Sequence, residues 1–77
     1  MKAVKIEWID SCASNMNWAL LEEFDGDIEP IRITSLGFVV QETTECVTIA
    51  QNYCSDPEQV SSLMTIPNGC IKQMTVL

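Results

Sequence analysis

Pro67, Asn68 and Gly69 interrupt an apolar segment near the end of the sequence, and this break constrains the fold more than any other feature. Proline has no backbone N–H to donate to a strand ladder, so strand pairing must stop at Pro67. Asn68 and Gly69 tolerate the backbone angles of a tight turn. Because the apolar pattern restarts at Ile71, the link is too short for a wide loop. We therefore predict one turn of 3₁₀ helix between two strands.

Alternating or β-branched segments predict five strands, over residues 3–9, 31–42, 46–52, 60–66 and 71–77. In the first segment, Val4, Ile6 and Trp8 fall on one face, which is typical of a half-buried strand. Gly37 interrupts the second segment. A glycine inside a strand often marks a bulge or a sharp bend at a barrel corner, and we expect one of these here.

Polar and small residues connect these strands. We expect a polar connection over 11–17, a turn over 25–30, a tight turn over 43–45, and a loop over 53–59 around Ser55-Asp56-Pro57. Residues 18–24 leave two alternatives open. They fit one or two helical turns capped by Asn17, and they also fit a short strand.

These elements predict a single all-β domain over residues 1–77, with a minor helical turn. Five short strands, a bent second strand and a one-turn break before the last describe a small five-stranded SH3-like or Sm-like barrel. A chain of 77 residues buries only about 60% of the surface that its unfolded form exposes. Association of several copies is a common remedy for so small a core, so we expect a homo-oligomer.

The net charge of −7, with four basic residues and no histidine, limits the possible partners. Binding of duplex DNA needs clustered Lys and Arg, and here they are scattered along the sequence. An acidic surface favours basic partners, although solubility alone also explains it. No segment approaches the roughly 18 apolar residues of a membrane span. Glu7 and Asp10 interrupt any signal-peptide core, so we expect a cytosolic protein without membrane association.

Neither a metal centre nor a catalytic centre is predicted, and we expect no enzyme and no cofactor. The four cysteines are not arranged as a CxxC pair, and no histidine could complete a zinc site. Cys46 and Cys70 lie in apolar surroundings and are expected to be small core residues. No nucleophile has an evident activating base. Five carboxylates in residues 22–29 lack the spacing of a calcium loop, and a solvated turn explains them as well.

Trp8 and Trp18 bracket a polar loop that contains Asp10, Ser11 and Asn17. One interpretation is a recognition pocket. The indoles would stack on a flat base, Asp and Asn would bind its edge, and Ser would contact a phosphate or ribose. The other interpretation places Trp8 in the core and gives Trp18 the role of anchoring the loop.

Asn52 and Tyr53 form a second candidate surface within the sequence Gln51-Asn52-Tyr53-Cys54. An amide and a phenol at the end of a strand suit binding to a base or a peptide. They also suit an ordinary connection between strands.

Three motifs in this order resemble those of a widespread group of small, mostly uncharacterised proteins encoded by bacteriophages and prophages. They are Trp8-Ile9-Asp10-Ser11 followed by Trp18, then Ser35-Leu36-Gly37-Phe38-Val39-Val40, then Ile66-Pro67-Asn68-Gly69-Cys70-Ile71. The resemblance covers nearly the whole chain. It implies a small β-barrel, and it implies no particular activity.

Three functional hypotheses follow. The first is a phage-encoded homo-oligomer in the host cytoplasm that sequesters a nucleotide-type signal of host immunity in pockets between subunits, near Trp8, Asp10 and Trp18. This hypothesis rests on an analogy of fold and genomic setting. The chain has only four basic residues, so it could bind a polyphosphate only if several subunits pooled their positive charges. The second is an acidic decoy that covers the basic groove of a host nucleic-acid enzyme, suggested by the carboxylates of residues 22–29. The third is a structural phage protein.

Overall fold

A computed structural model describes residues 1–12, 18–24, 26 and 29–77 of the chain. These residues form one sheet of five antiparallel strands with almost no helix, as the sequence predicts. The strands are β1 (Ala3–Asp10), β2 (Ile31–Glu42), β3 (Cys46–Ser55), β4 (Glu58–Pro67) and β5 (Ile71–Val76), and the two 3₁₀ turns are Leu21–Glu23 and Asn68–Cys70. No helix in the described residues is long and apolar enough to cross a membrane.

The strands lie side by side in the order β4-β3-β2-β1-β5. Every neighbouring pair is antiparallel. β4 and β5 are therefore the two edges of the sheet, and no described ladder joins them. The sheet is not closed, so barrel closure is not confirmed.

β2 belongs to two hairpins and bends between them. Its first part pairs with β1 as far as Ala3 opposite Phe38, and its last part pairs with β3 from Phe38 opposite Ala50 onward. Residues of β1 and β3 meet in one buried cluster, although β2 separates the two strands in the sheet. The buried cluster draws on both strands and on β4, and consists of Val4, Ile6, Val47, Ile49 and Ile66.

Gly37 lies where β2 passes from one hairpin to the other. A Cβ at this position would come within 2.9 Å of the Ala50 carbonyl oxygen and 3.1 Å of the Ile49 Cβ. Glycine therefore permits the close approach of β3 at the bend. The register shift lies further along β2, between Val39 and Gln41, so the glycine itself does not form the bulge.

The prediction of a loop over residues 53–59 is wrong. β3 continues to Ser55 and β4 begins at Glu58, so that only Asp56 and Pro57 connect them. Tyr53 pairs with Val60 in this extension of the hairpin. The turn signal in the sequence marks the turn itself. The flanking residues lack the apolar alternation of a half-buried strand, because most of this end of the hairpin is exposed. Their backbones pair all the same, since ladder hydrogen bonds do not depend on apolar side chains.

The predicted 3₁₀ turn after β4 is confirmed at Asn68–Cys70. The Asn68 backbone N–H donates to the Glu45 carbonyl oxygen at 2.8 Å, and the Asn68 side-chain amide donates to the Thr43 carbonyl oxygen at 3.0 Å. These bonds tie the turn to the connection between β2 and β3. β5 then returns along β1, and its Ile71 and Met74 pack against the buried cluster.

All four cysteines are free thiols. Cys46 and Cys70 are half-buried, and Cys70 packs against the core cluster as expected of a small apolar residue. Cys12 and Cys54 are exposed.

Candidate functional site

Trp8 lies on the core side of β1. It packs against the buried cluster formed by Val4, Ile6 and their neighbours. Its indole Nε1–H donates to the Ser35 Oγ of β2 at 3.0 Å. The ring therefore already has apolar contacts and a hydrogen-bond acceptor within the sheet, as a structural tryptophan requires.

Trp18 has the opposite environment, with 93% of its surface exposed. It begins a segment over residues 18–24, here called the apolar–acidic segment, in which Leu20, Leu21 and Phe24 are also exposed by 60%, 88% and 57%. The segment also carries the two exposed carboxylates of Glu22 and Glu23. Four large apolar side chains beside two charges form an unpartnered surface, and such surfaces mark interaction sites.

The backbone of the apolar–acidic segment contains one 3₁₀ turn, Leu21–Glu23. Hydrogen bonds run from the Glu23 N–H to the Leu20 carbonyl at 3.0 Å and from the Phe24 N–H to the Leu21 carbonyl at 3.2 Å. No side chain among the described residues caps the turn, and Leu20 occupies the N-cap position. The predicted cap, Asn17, lies outside the described residues. A single turn has little stability of its own, and the large apolar side chains in and beside it are exposed.

Asp10 and Ser11 lie at the end of β1 and contact each other. The Ser11 backbone N–H donates to the Asp10 Oδ1 at 2.8 Å. One oxygen of this carboxylate is therefore already engaged by the neighbouring backbone. Among the predicted loop residues that the structure describes, only Trp8 lines one of the three cavities described below. The structure thus separates Trp8, against the core, from Trp18, in solvent.

Asn52 and Tyr53 lie within β3 rather than in a loop. The Asn52 side-chain amide donates to the Ser61 Oγ of β4 at 3.1 Å. The Tyr53 ring packs on Phe38 with ring centroids 5.8 Å apart. Both side chains therefore hold neighbouring strands together.

A cavity of about 320 Å³ lies across β2, β1 and β5, and we call it the basic cavity. It holds Arg32 and Lys72, two of the four basic residues of the chain. The other lining residues are Glu7, Trp8, Ile9, Ile33, Thr34 and Gln73. Sequence reasoning missed this grouping, since Arg32 and Lys72 are far apart in the chain. Predicting it would have required the strand order, in which β1 lies between β2 and β5.

A larger cavity of about 520 Å³ opens where β2 leaves β3. The described residues that line it are all uncharged: Thr34, Ser35, Leu36, Ile49, Gln51, Ser62, Leu63 and Met64. Ser62 has a φ of 57°, a left-handed conformation that is uncommon for serine. A third cavity of about 280 Å³ is lined by Glu42, Thr43, Val47, Asn68, Ile71 and Met74.

The described residues contain no group of three or more side chains suited to hold a metal ion. No family model, curated protein or solved structure matches the chain. The chemistry of its surfaces is therefore the basis for assigning a function.

Proposed function

We propose that this chain is a small protein-binding module whose apolar–acidic segment occupies an apolar groove rimmed by Lys and Arg on a partner protein. In this proposal the partner is a host nucleic-acid enzyme, the chain is a phage-encoded decoy that acts in the host cytoplasm, and it catalyses no reaction. The observation that carries the proposal is the exposure of Trp18, Leu20, Leu21 and Phe24 beside Glu22 and Glu23.

The exposed side chains supply the apolar centre of an interface. An aromatic residue buries about 150–250 Å² when it is enclosed, and burial stabilises by roughly 25 cal/mol per Å². Tryptophan is also among the residues that most often dominate binding free energy. Because the chain itself leaves Trp18 in water, nearly all of that burial remains available to a partner.

The carboxylates select the charge of the partner. Residues 18–29 contain five carboxylates and no Lys or Arg. Interfaces place polar and charged groups in a rim around an apolar centre. Complementary charge in that rim speeds association and excludes wrong partners, and added salt weakens it. A nucleic-acid enzyme supplies such a rim, because its groove must attract phosphates.

The finer architecture also belongs to the proposal. We infer an SH3-like or Sm-like barrel, supported by the strand order β4-β3-β2-β1-β5, the bent β2 and the 3₁₀ turn before β5. The homo-oligomer predicted from the sequence has support in the two open edges, β4 and β5. Edge strands present unpaired backbone groups that readily pair with another chain.

The other two functions predicted from the sequence, sequestration of a nucleotide-type signal and a structural role in a phage particle, remain predictions. Sequestration of a nucleotide-type signal near Trp8, Asp10 and Trp18 has little support in that loop, because Trp8 packs on the core and Trp18 points into solvent. Nothing in the described residues favours a structural role in a phage particle.

The test uses the purified chain immobilised for capture from a host lysate at low salt. Two double variants remove the two halves of the proposed surface, Trp18→Ala with Leu21→Ala and Glu22→Gln with Glu23→Gln. The matched control is Leu36→Ala with Leu63→Ala, which removes two leucines that are 58% and 59% exposed outside the segment. A synthetic peptide of residues 18–29 and a scrambled peptide serve as competitors.

We expect a basic protein that the native chain and the control variant capture, that both segment variants lose, and that the native peptide alone displaces. Its purified form should bind the chain at least tenfold more weakly when the salt concentration is raised to several hundred millimolar. Equal capture by the control and both segment variants, or capture of no basic protein, would overturn the proposal.

A further inference from the structure

The basic cavity is built by cross-strand register. β1 lies between β2 and β5, and Glu7 stands opposite Thr34 on one side and Gln73 on the other. Directly opposite residues share a face of the sheet. Residues two apart in a strand also share a face, which adds Arg32 to the face of Thr34. One face thus combines Glu7 with a hydroxyl, an amide and a guanidinium.

A register irregularity brings in the second cation. Glu7 pairs with Gln73 but Trp8 pairs with Ile71, so Lys72 has no direct partner on β1. Such bulges redirect a side chain and are frequent beside binding sites. Here the result is that Lys72 lines the same cavity as Gln73 and Arg32.

Both cations are available to a ligand. Arg32 and Lys72 are exposed, and neither forms an ion pair with a described residue. The ion pair found among the described residues joins Lys2 and Glu42 at 2.8 Å, outside the cavity lining. In a chain with net charge −7, the lining residues that the structure describes place two positive groups against one carboxylate, that of Glu7. The local charge of this cavity therefore favours anions, in contrast to the net negative charge of the chain.

The side chains also indicate what kind of anion fits. Arginine matches the planar geometry of phosphate oxygens with paired hydrogen bonds, and lysine adds a point charge. Glu7 accepts hydrogen bonds only, so it favours a ligand that carries hydroxyl or amino donors away from its phosphate. The volume of about 320 Å³ is at the lower end of the roughly 300–1,000 Å³ typical of small-molecule sites.

We propose that the basic cavity binds a small phosphate monoester with a hydroxyl-bearing body, the chemistry shared by sugar phosphates and ribonucleoside monophosphates. Arg32 and Lys72 hold the phosphate, and Glu7 accepts from a hydroxyl group. Thr34 and Gln73 supply further polar contacts. The site is independent of the apolar–acidic segment and of any protein partner.

The test is an NMR titration of the ¹⁵N-labelled chain with ribose 5-phosphate, adenosine monophosphate, inorganic phosphate and ribose. We expect saturable amide shifts around Glu7, Arg32 and Gln73 with both phosphate esters. Ribose should cause no saturable shifts, and inorganic phosphate should bind at least tenfold more weakly than the esters. Comparison of the two esters identifies the body that the cavity prefers.

Three variants assign the roles, and a fourth is the control. Arg32→Ala and Lys72→Ala should each weaken ester binding at least tenfold. Glu7→Gln should reduce the preference for ribose 5-phosphate over inorganic phosphate. Lys5→Ala changes another β1 residue outside the cavity lining and should bind like the native chain.

Two results would overturn the proposal. One is the absence of saturable shifts with either ester, and the other is equal weakening by Lys5→Ala and Lys72→Ala, which indicates attraction to charge alone. The variant with Trp18→Ala and Leu21→Ala should keep full ester binding. Failure of this site is thereby distinguished from failure of the proposed protein-binding function.

Discussion

Trp8 and Trp18 are the same residue type in opposite environments. Trp8 packs on the buried cluster and donates to Ser35 at 3.0 Å, whereas Trp18 is 93% exposed and lies outside the five described strands. The indole of Trp8 stabilises the sheet on which it lies. The indole of Trp18 is almost fully exposed, so it contributes little burial free energy to the fold of the described residues.

The same contrast separates the bent sheet from the apolar–acidic segment. The sheet buries Val4, Ile6 and Ile66 completely. The segment buries none of its large apolar residues. A small domain has little core to spare, so apolar residues left outside it are costly for solubility. The two regions therefore differ in how far they bury their apolar side chains, and substitutions in them should have different consequences for stability.

The largest effect is expected at the centre of the core. Ile6 is fully buried, so Ile6→Ala should lower the free energy of unfolding by about 2–5 kcal/mol. Denaturant unfolding followed by circular dichroism measures it. If that variant does not fold, Ile6→Val should still cost about 0.5–1.5 kcal/mol. The matched control is Ile31→Ala, at a position 49% exposed, and an equal loss there would contradict the assigned core.

The bend of β2 should be nearly as sensitive. Gly37→Ala places a Cβ within 2.9 Å of the Ala50 carbonyl oxygen, and such overpacking costs about 1–3 kcal/mol. Gly69→Ala is the control, because a Cβ there has no neighbour within 4 Å and its effect should stay within about 0.5 kcal/mol. Similar unfolding midpoints for both variants would show that β3 does not approach Gly37 closely.

An intermediate effect is expected for the hydrogen bond of Trp8. Trp8→Phe and Ser35→Ala each remove one partner and should each lower stability by about 1 kcal/mol. The double variant should cost less than the sum of the two, because the partners share one bond. A double-mutant cycle by denaturant unfolding measures this coupling. Strictly additive losses would mean that the two side chains do not interact in solution.

The smallest effect is expected in the apolar–acidic segment. Trp18→Ala together with Leu21→Ala should change the free energy of unfolding by no more than about 0.5 kcal/mol, since both side chains are exposed. The measurement is the same denaturant titration. A loss of 2 kcal/mol or more, roughly the cost of emptying a core position, would place these side chains within the folded core.

Features determined by neighbouring residues were predictable from the sequence. The bounds of β2 and the 3₁₀ turn at Asn68–Cys70 follow from local alternation and from Pro67. The true length of β3 was not predictable, because the exposed part of its hairpin lacks an apolar pattern. The sequence also did not predict that Arg32 and Lys72 line the same cavity. This grouping depends on the order of three strands and on a register shift, which no short stretch of sequence encodes.

The environment of each tryptophan could not be decided from the sequence either. Alternation placed Trp8 on the face of Val4 and Ile6, and the structure agrees. Residues 18–24 fit both a helical turn and a strand, and an apolar residue there could equally anchor the loop. Only the observed exposure distinguishes an anchor from a free surface.

Acrylamide quenching of tryptophan fluorescence tests the central claim most directly, with Trp8→Phe leaving only Trp18 and Trp18→Phe leaving only Trp8. The exposure of Trp18 predicts red-shifted emission and quenching close to that of free indole. It predicts blue-shifted emission and several-fold weaker quenching for Trp8. Equal protection of both tryptophans would contradict the account, because the side chain assigned to a partner would already be buried in the chain itself.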